Sequence, residues 1–280
     1  MAGMSDTAEA RQRALDARLI GLRSLVVAFS GGVDSAYLAV RAHQILGPRA
    51  LAVTADSPSL ADAQRRSARD LAHQFDFAHR VIETREFEVS EYLRNEPDRC
   101  YHCKAELFRQ LLPLAASEGY AHVAYGLIAD DLQDFRPGHR AAAEAGVLSP
   151  LAEVRMTKDD VRVLSRKLGL PTWDRPASPC LSSRIPYGTP VTPDALRRVE
   201  RAEDALRTLG LRELRVRHLD DTARVEIAPA ELHRLDDEDF VAAARDAVLR
   251  AGYRDVVIDR EGYRRGRLNE ALRLIPLARV

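Results

Sequence analysis

The three cysteines of this 280-residue chain lie in two short polar stretches, and their spacing could support sulfur or metal chemistry. Cys100 and Cys103 form a Cys-x-x-Cys, with Lys104 directly after it as a candidate catalytic cation. Together with Cys180 they offer three thiolates, which could hold an iron–sulfur cluster with one open iron, or a zinc ion if His102 supplied a fourth ligand. Free cysteines are also commonly small buried hydrophobic residues, so the two interpretations stay open.

The residues after Cys180 indicate an anion near that thiol. Ser183 and Arg184 follow it closely, and hydroxyl and guanidinium groups together suit a phosphate. Cys180 is therefore a candidate catalytic nucleophile, and Ser183 and Arg184 are candidate ligand-binding residues.

A second candidate site is the segment 30–35, which reads SGGVDS and follows the apolar run LVVAF. Strand, glycine turn and helix N-terminus together form an anion site, because the first helical N–H groups and the dipole favour negative charge. We predict that Ser30, Gly31, Gly32, Asp34 and Ser35 bind a phosphate. An aspartate there suggests a bridging Mg²⁺, although an Asp in a first helical turn also simply suits the dipole.

Further carboxylates follow two other predicted strands. Asp56 begins the turn after the second strand, and Gly126 ends the fourth strand shortly before Asp130, Asp131 and Asp134. Because ligands of open parallel sheets lie beyond the carboxyl ends of the strands, these residues predict a Mg²⁺ or ribose site at one edge. The alternative is a solvated loop with aspartates that cap helices.

Alternating strand and helix patterns predict an α/β fold with a doubly wound parallel sheet over residues 1–188. The predicted strands are 25–29, 50–55, 78–82 and 122–126. The predicted helices are 6–24, 33–47, one that begins at residue 59 or 62 and ends at 74, and 157–168. After residue 188 the order helix, strand, strand, helix, strand predicts a smaller α+β domain over 189–280. Its elements are the helices 193–209, capped by Thr192, and 239–251 and the strands 214–219, 223–227 and 256–258.

Composition limits the classes of partner. Lys and Arg number 42, and so do Asp and Glu, so the formal net charge is zero and gives no global field for nucleic acid. No apolar run approaches the roughly 18 residues that a membrane span needs. Residues 1–22 carry charges throughout and lack the apolar core of a signal peptide. We expect a cytoplasmic protein with reduced thiols, without membrane or nucleic-acid partners.

The SGGVDS segment resembles the pyrophosphate loop of the ATP pyrophosphatase (PP-loop) enzymes. This resemblance implies an adenine nucleotide alpha-hydrolase-like domain that cleaves ATP to AMP and pyrophosphate, usually by adenylating an oxygen of a second substrate. Sulfur-inserting and amide-forming enzymes share the motif, so the motif alone leaves both activities open.

Four segments in order, SGGVDS, RCYHCK, DDLQDFRPG and RPASPCLSSRIPYG, resemble the LarE family of ATP-dependent sacrificial sulfur transferases. The resemblance implies adenylation of a carboxylate of pyridinium-3,5-dicarboxylate mononucleotide and its conversion to a thiocarboxylate, in nickel-pincer nucleotide biosynthesis. It also implies ATP as a cofactor, with Mg²⁺, and a homo-oligomer. The candidate catalytic residues are Asp34, Lys104 and Cys180, although Lys104 could also be simply solvated. Cys180 matches the sulfur-bearing cysteine, and Cys100, Cys103 and Cys180 match the members thought to hold a [4Fe–4S] cluster.

Three other functions are weighed against this one. A PP-loop enzyme of tRNA thiolation would use the same ATP chemistry, and the basic segment 264–267 would suit it, but the zero net charge argues against it. A non-enzymatic cluster carrier would release no pyrophosphate. Amide formation would call for a glutaminase segment, which the sequence does not show.

Overall fold

The computed structural model of this chain describes residues 2–133 and 137–264, which divide into two compact units. The first unit takes the chain up to Val89 together with Cys100–Ser178, and the second takes Ser90–Arg99 together with the chain from Pro179 onward. The strands are β1 (Leu25–Ala28), β2 (Ala50–Asp56), β3 (His79–Glu83), β4 (His122–Tyr125), β5 (Leu214–Leu219), β6 (Thr222–Ile227) and β7 (Asp255–Asp259). The helices are α1 (Ala2–Leu22), α2 (Val33–Leu46), α3 (Asp62–Gln74), α4 (Ser90–Leu93), α5 (Arg99–Ser117), α6 (Pro137–Glu144), α7 (Pro150–Glu153), α8 (Lys158–Lys167), α9 (Pro193–Thr208) and α10 (Glu238–Arg250). Short 3₁₀ segments lie at Gly47–Arg49, Glu86–Glu88, Ala129–Gln133, Leu181–Arg184 and Pro229–Asp236.

The first unit is built on a parallel sheet with the strand order β3-β2-β1-β4. The apolar run of β1 is buried on both faces, because Leu25 and Val27 pack into one hydrophobic cluster and Val26 packs into another. Helices α1, α2 and α8 cover the first face, and Phe108 and Leu111 of α5 cover the second. The predicted doubly wound α/β fold is therefore confirmed.

This strand order places a topological switch point between β1 and β4. The chain runs outward from β1 to β2 and β3 and then returns to the other side of β1. Ligands of doubly wound sheets bind in the crevice beyond the carboxyl ends of the strands at such a point. The loop after β1 and the loop after β4 are therefore the places to look for a site.

The second unit is the smaller α+β unit. Its sheet has the order β5-β6-β7, with an antiparallel β5–β6 pair and a parallel β6–β7 pair. Val216 and Val225 of this sheet pack against Leu206 of α9 and Val248 of α10. Each such fully buried apolar side chain contributes about 1.5–3 kcal/mol of transfer free energy.

The units part between Ser178 and Pro179, whereas the sequence patterns predict a division at 188/189. Residues Ser90–Arg99 also belong to the second unit, where the Asn95 amide donates to the carbonyls of Pro186 and Thr189 at 2.7 and 2.8 Å. These contacts join segments about ninety positions apart in the chain. A boundary inferred from local composition has no access to them.

Candidate active site

The glycine turn after β1 is held by its own hydroxyl groups. Ser35 Oγ donates to the Gly32 carbonyl at 3.1 Å and accepts from the Ser30 N–H at 3.2 Å, and the two serine oxygens lie 3.0 Å apart. Gly31 has φ +73°, a conformation that favours glycine. The sequence SGGVDS therefore prescribes its own local shape.

This turn leads directly into the N-terminus of α2. Gly32 is the N-cap residue and makes no side-chain capping bond, so the first N–H groups of this 14-residue helix are left for a ligand. Asp34 lies in the first helical turn. The combination is the predicted anion site, with one carboxylate inside it.

Gly126, at the end of β4, is where the two loops meet. A Cβ placed on Gly126 would lie 2.8 Å from the Ser35 nitrogen and 3.0 Å from the Asp34 carbonyl carbon. Both atoms belong to the backbone and cannot rotate away. Gly126 is therefore needed for the close approach of the loop to the strand end, whereas its predicted ligand contact stays a prediction.

We expect Gly126→Ala to push the 30–35 loop off the end of β4. Overpacking of this kind costs about 1–3 kcal/mol, and a displacement near 1 Å costs on the order of 100-fold in rate. Acceptor-dependent pyrophosphate release and thermal unfolding measure the two effects. Gly21→Ala is the matched control, because an added Cβ there has open space and the position has no positive φ. Wild-type rates in Gly126→Ala would contradict the packing role.

Asp34 is paired with a lysine that the sequence patterns did not single out. The Lys158 ammonium lies 2.8 and 2.7 Å from the two carboxylate oxygens of Asp34. Lys158 is the first residue of α8, where the helix dipole disfavours a positive charge. A lysine at the N-terminus of a predicted helix is therefore the signal in the sequence that could have indicated an acidic partner for Lys158.

Several neighbours set the electrostatics of Asp34. Burial raises the pKa of its carboxyl above the ordinary value, Lys158 opposes that change, and the Asp131 carboxylate adds to it. Arg162, one turn further along α8, also favours the ionised form of Asp34, and its Nε is buried without a hydrogen-bond partner among the described residues. Two cations and a second carboxylate thus surround Asp34 at the end of β1.

The N-terminus of α8 is fixed at this edge. Thr157 and Asp160 form a capping box, and Asp130 accepts the Lys158 N–H at 2.9 Å. Asp130 therefore has a capping role in this structure, which is the alternative that the sequence left open. Asp134 lies outside the described residues.

Other predicted residues of the first unit lie at the same sheet edge. Asp56, at the end of β2, is ion-paired with Arg65 at 2.6 Å. The Lys104 ammonium lies 5.7 Å from the centre of the Tyr125 ring, and Tyr125 is the last residue of β4. Burial and the Asp131 charge raise the pKa of Tyr125 to about 12. Lys104 is thus brought to the edge that carries Gly126.

Cys100 and Cys103 lie in the first turns of α5, a helix that the sequence patterns do not predict. Because Cys100 and Cys103 are three positions apart in the chain, both lie on one face of the helix. Cys100 is exposed and Cys103 is half-buried. The main chain of Cys100 and the stem of Lys104 pack against Gly138 of α6, so the start of α5 belongs to the surroundings of the β4 end.

Cys180 belongs to the second unit, where it precedes the 3₁₀ segment Leu181–Arg184. Its side chain is half-buried. Arg184 is only 1 % exposed, and its guanidinium binds Glu203 and the main chain of its own turn. The predicted contact between Arg184 and a phosphate therefore has no support in this geometry, because the cation is already paired inside the unit.

No metal site of three ligands is present in the parts of the chain that the structure describes. Among residues 2–133 and 137–264, no group of three or more His, Cys, Asp or Glu side chains is placed to hold a metal ion. Asp34 and Asp131 still fit Mg²⁺, because that ion is usually held by one or two carboxylates together with substrate phosphates.

Comparison with known proteins gives matches to the first part of the chain and to nearly its full length. Residues 6–110 match the family model described as asparagine synthase. The chain is 37% identical over 278 residues to the pyridinium-3,5-bisthiocarboxylic acid mononucleotide synthase of Lactiplantibacillus plantarum, covering 97% of this chain and 98% of that protein. This chain belongs to the LarE family. It is an ATP-using enzyme of the PP-loop superfamily, and the resemblance found in its motifs is confirmed.

Two other relatives set this LarE-family chain in context. It is 43% identical to the uncharacterized protein slr1717 of Synechocystis, over 88% of this chain and 92% of that protein. It is 27% identical to a glutamine-hydrolyzing GMP synthase subunit of Archaeoglobus fulgidus, over 69% of this chain and 65% of that protein. The second match is weaker and shorter than the LarE match.

Two further observations bear on partners of the LarE-family chain. None of the helices that the structure describes has the length and apolar character needed to cross a membrane. Of the basic segment 264–267, only Arg264 lies within the described residues. The predicted cytoplasmic location, the homo-oligomer and the lack of nucleic-acid binding stay predictions.

Proposed function

We propose that this protein is an ATP-dependent sulfur transferase acting on pyridinium-3,5-dicarboxylate mononucleotide, which it adenylates on a carboxylate and converts to a thiocarboxylate. The observation that carries the proposal is the match to a bisthiocarboxylic acid mononucleotide synthase along nearly the full length of both chains. The PP-loop at the switch point and the half-buried Cys180 supply the two chemical functions that this reaction needs.

The first unit would carry out the adenylation. The N–H groups of the 30–35 loop and of the first turn of α2 would bind the pyrophosphate part of ATP. Asp34 and Asp131 would hold Mg²⁺, which supplies charge stabilisation to the departing pyrophosphate. Lys158 would exchange its ion pair with Asp34 for a contact to the nucleotide phosphates, and Lys104 would lie near the acceptor carboxylate.

Adenylation is needed because a carboxylate is a poor acceptor for sulfur, since oxide would have to leave. Attack of the acceptor carboxylate on the α-phosphorus of ATP forms an acyl–AMP and releases pyrophosphate. The Cys180 thiolate then attacks the acyl carbon, AMP leaves with its electron pair, and a thioester to Cys180 results. Loss of the Cys180 α-proton to a base breaks the Cβ–S bond, which releases the thiocarboxylate and leaves dehydroalanine.

A [4Fe–4S] cluster held by Cys100, Cys103 and Cys180 is the alternative sulfur source. The proposal assigns the sulfur to Cys180 itself, because Cys180 matches the sulfur-bearing cysteine of the LarE family. The two sources differ in the fate of residue 180. Sulfur donation by Cys180 itself destroys the cysteine, whereas donation by a cluster leaves it intact.

The phosphate of the mononucleotide needs a partner, and the sequence pattern predicts Ser183 and Arg184. Arg184 is committed to Glu203 and to main-chain carbonyls, and one of its N–H groups lies 3.0 Å from Ser183 Oγ. This geometry favours a structural role for the Arg184 guanidinium. The phosphate contact of Ser183 stays part of the proposal.

An acceptor screen tests the proposed function. The purified protein is incubated with ATP and Mg²⁺, and pyrophosphate release is measured with pyridinium-3,5-dicarboxylate mononucleotide or with bulk tRNA as the acceptor. We expect release only with the mononucleotide, together with a thiocarboxylate product detected by mass spectrometry. Its binding should weaken only modestly with salt, because few phosphates are contacted. Release that depends on tRNA, with a steep salt slope, would favour tRNA thiolation instead.

A further inference from the structure

Arg184 clamps the main chain of the turn that carries Cys180. Its Nη1 donates to the Pro179 carbonyl at 2.6 Å and to the Cys180 carbonyl at 3.0 Å. The Cys180 carbonyl also accepts the N–H of Ser183 at 3.0 Å. One planar guanidinium group therefore fixes the peptide groups on both sides of Cys180.

Glu203 of α9 holds this guanidinium in place. Its carboxylate accepts from Arg184 Nε at 2.8 Å and from Arg184 Nη2 at 3.1 Å, which is a bidentate pair. The same carboxylate accepts the Val216 N–H of β5 at 3.1 Å and one N–H of Arg207 at 2.8 Å. Glu203 thus ties the Cys180 turn to a helix and to a strand of the second unit.

Two more arginines bind the following carbonyls of the turn. Arg99 donates to the Ser182 carbonyl at 2.7 Å. Arg217 of β5 donates to the Ser183 carbonyl at 2.9 Å and is itself paired with Glu226. The carbonyls of residues 179, 180, 182 and 183 are therefore all held by arginine side chains, and Arg184 holds the two nearest the thiol.

The Arg184–Glu203 pair is buried, with side-chain exposures of 2 % and 1 %. Burial works against ionisation of Glu203, but Arg184 and Arg207 hold the pKa of its carboxyl below the ordinary value. A buried ion pair is often no more stabilising than an apolar pair of the same volume, because both charges lose their hydration. Stability alone is a weak reason for placing such a pair behind Cys180, whereas orientation of the turn is a direct consequence of its bonds.

We propose that Glu203 is a positioning residue for sulfur transfer, which acts through Arg184 to hold the Cys180 backbone in the geometry for attack on the acyl adenylate. The inference rests on the proposed function of Cys180 as the sulfur donor. The clamp consists of residues of the second unit, whereas the pyrophosphate loop belongs to the first. Because Ser183 lies in the same turn, the two steps are compared at saturating mononucleotide, where loss of the clamp should slow sulfur transfer and spare adenylation.

The test compares Glu203→Gln with Arg207→Gln. Glutamine at 203 keeps the shape and an acceptor oxygen but removes the charge and the bidentate pair, whereas Arg207→Gln removes a partner of the same carboxylate that does not reach the turn. We expect Glu203→Gln to slow thiocarboxylate formation by on the order of 100-fold, with pyrophosphate release changed by less than about fivefold. Arg207→Gln should leave both steps within about fivefold of wild type.

A readout without turnover separates positioning from activity. The rate of Cys180 alkylation by iodoacetamide, followed by peptide mass spectrometry at one pH, should change in Glu203→Gln and not in Arg207→Gln. Arg184→Lys keeps a cation beside Glu203 but loses the guanidinium group that binds the carbonyls of Pro179 and Cys180. This variant tests the positioning role if Glu203→Gln does not fold.

Equal slowing of both steps, or wild-type alkylation and sulfur transfer in folded Arg184→Lys, would overturn the positioning role. If the wild-type protein forms no thiocarboxylate at all, the proposed function fails. The alkylation rates would still show whether Glu203 positions Cys180, so the two failures are distinguishable.

Discussion

Replacement of Cys180 by alanine should abolish thiocarboxylate formation and leave the release of pyrophosphate measurable. In the proposed mechanism the sulfur atom of Cys180 is the one that the acceptor receives, so the variant lacks the donor. The residues that bind ATP belong to the first unit, so the acyl adenylate should still form in the variant. Product mass spectrometry and a pyrophosphate assay, run on the same sample, measure the two steps.

The matched control is the double variant Cys100→Ala/Cys103→Ala, which removes the other two thiols and leaves Cys180 in place. If Cys180 is consumed, the double variant should transfer sulfur as the wild type does, and its residue 180 should lose the mass of H₂S. Repeated turnovers with an intact Cys180 in the wild type, and an inactive double variant, would contradict this mechanism and favour the cluster. Iron and sulfide assays on anaerobically purified protein then show whether a cluster is present.

The parallel sheet could be predicted from the sequence because its strands are buried on both faces. Such strands read as continuous apolar runs, and LVVA of β1 and ALAV of β2 are short enough to be recognised locally. Turn residues marked the ends of the same elements, as Gly47 does after α2. The predicted ends of β1, β2 and β4 are each within one residue of the observed ones.

The side-chain partners could not be predicted in this way. Lys158 and Asp34 are separated by 124 positions, and nothing local to either residue names the other. Arg184 shows the same limit, because its neighbourhood of serines and cysteine suggests a ligand but does not reveal a protein partner. Its partner Glu203 lies on the next helix and buries the cation. Local sequence gives the type of a charged group, whereas its availability depends on distant packing.

Replacement of Asp34 by asparagine should reduce acceptor-dependent pyrophosphate release by at least about 100-fold, the usual cost of losing one preorganised group that stabilises developing charge. Asparagine keeps the shape of the side chain but loses the charge that would hold Mg²⁺ and pair with Lys158. The folded state should be little affected, because the ion pair is partly exposed and is worth at most about 1 kcal/mol. A thermal unfolding curve is the control for folding.

The dependence on pH gives a sharper test of the same carboxylate. Burial raises the pKa of Asp34, so on acidification the wild type should lose pyrophosphate release at a higher pH than an ordinary aspartate would impose. Lys158 favours the ionised form. Lys158→Met should therefore move the acidic limb of the kcat/KM profile to still higher pH, because the carboxylate loses its cation.

In Asp34→Asn the acidic limb assigned to Asp34 should vanish from whatever activity remains, since asparagine does not titrate.

The Lys158→Met variant should also respond differently to Mg²⁺. Removal of the competing ammonium frees the Asp34 carboxylate, so half-saturation by Mg²⁺ should move to a lower concentration even as the loss of a phosphate contact lowers kcat. An unchanged Mg²⁺ dependence and an unshifted acidic limb in Lys158→Met would separate Asp34 from the metal and leave it as the electrostatic partner of α8.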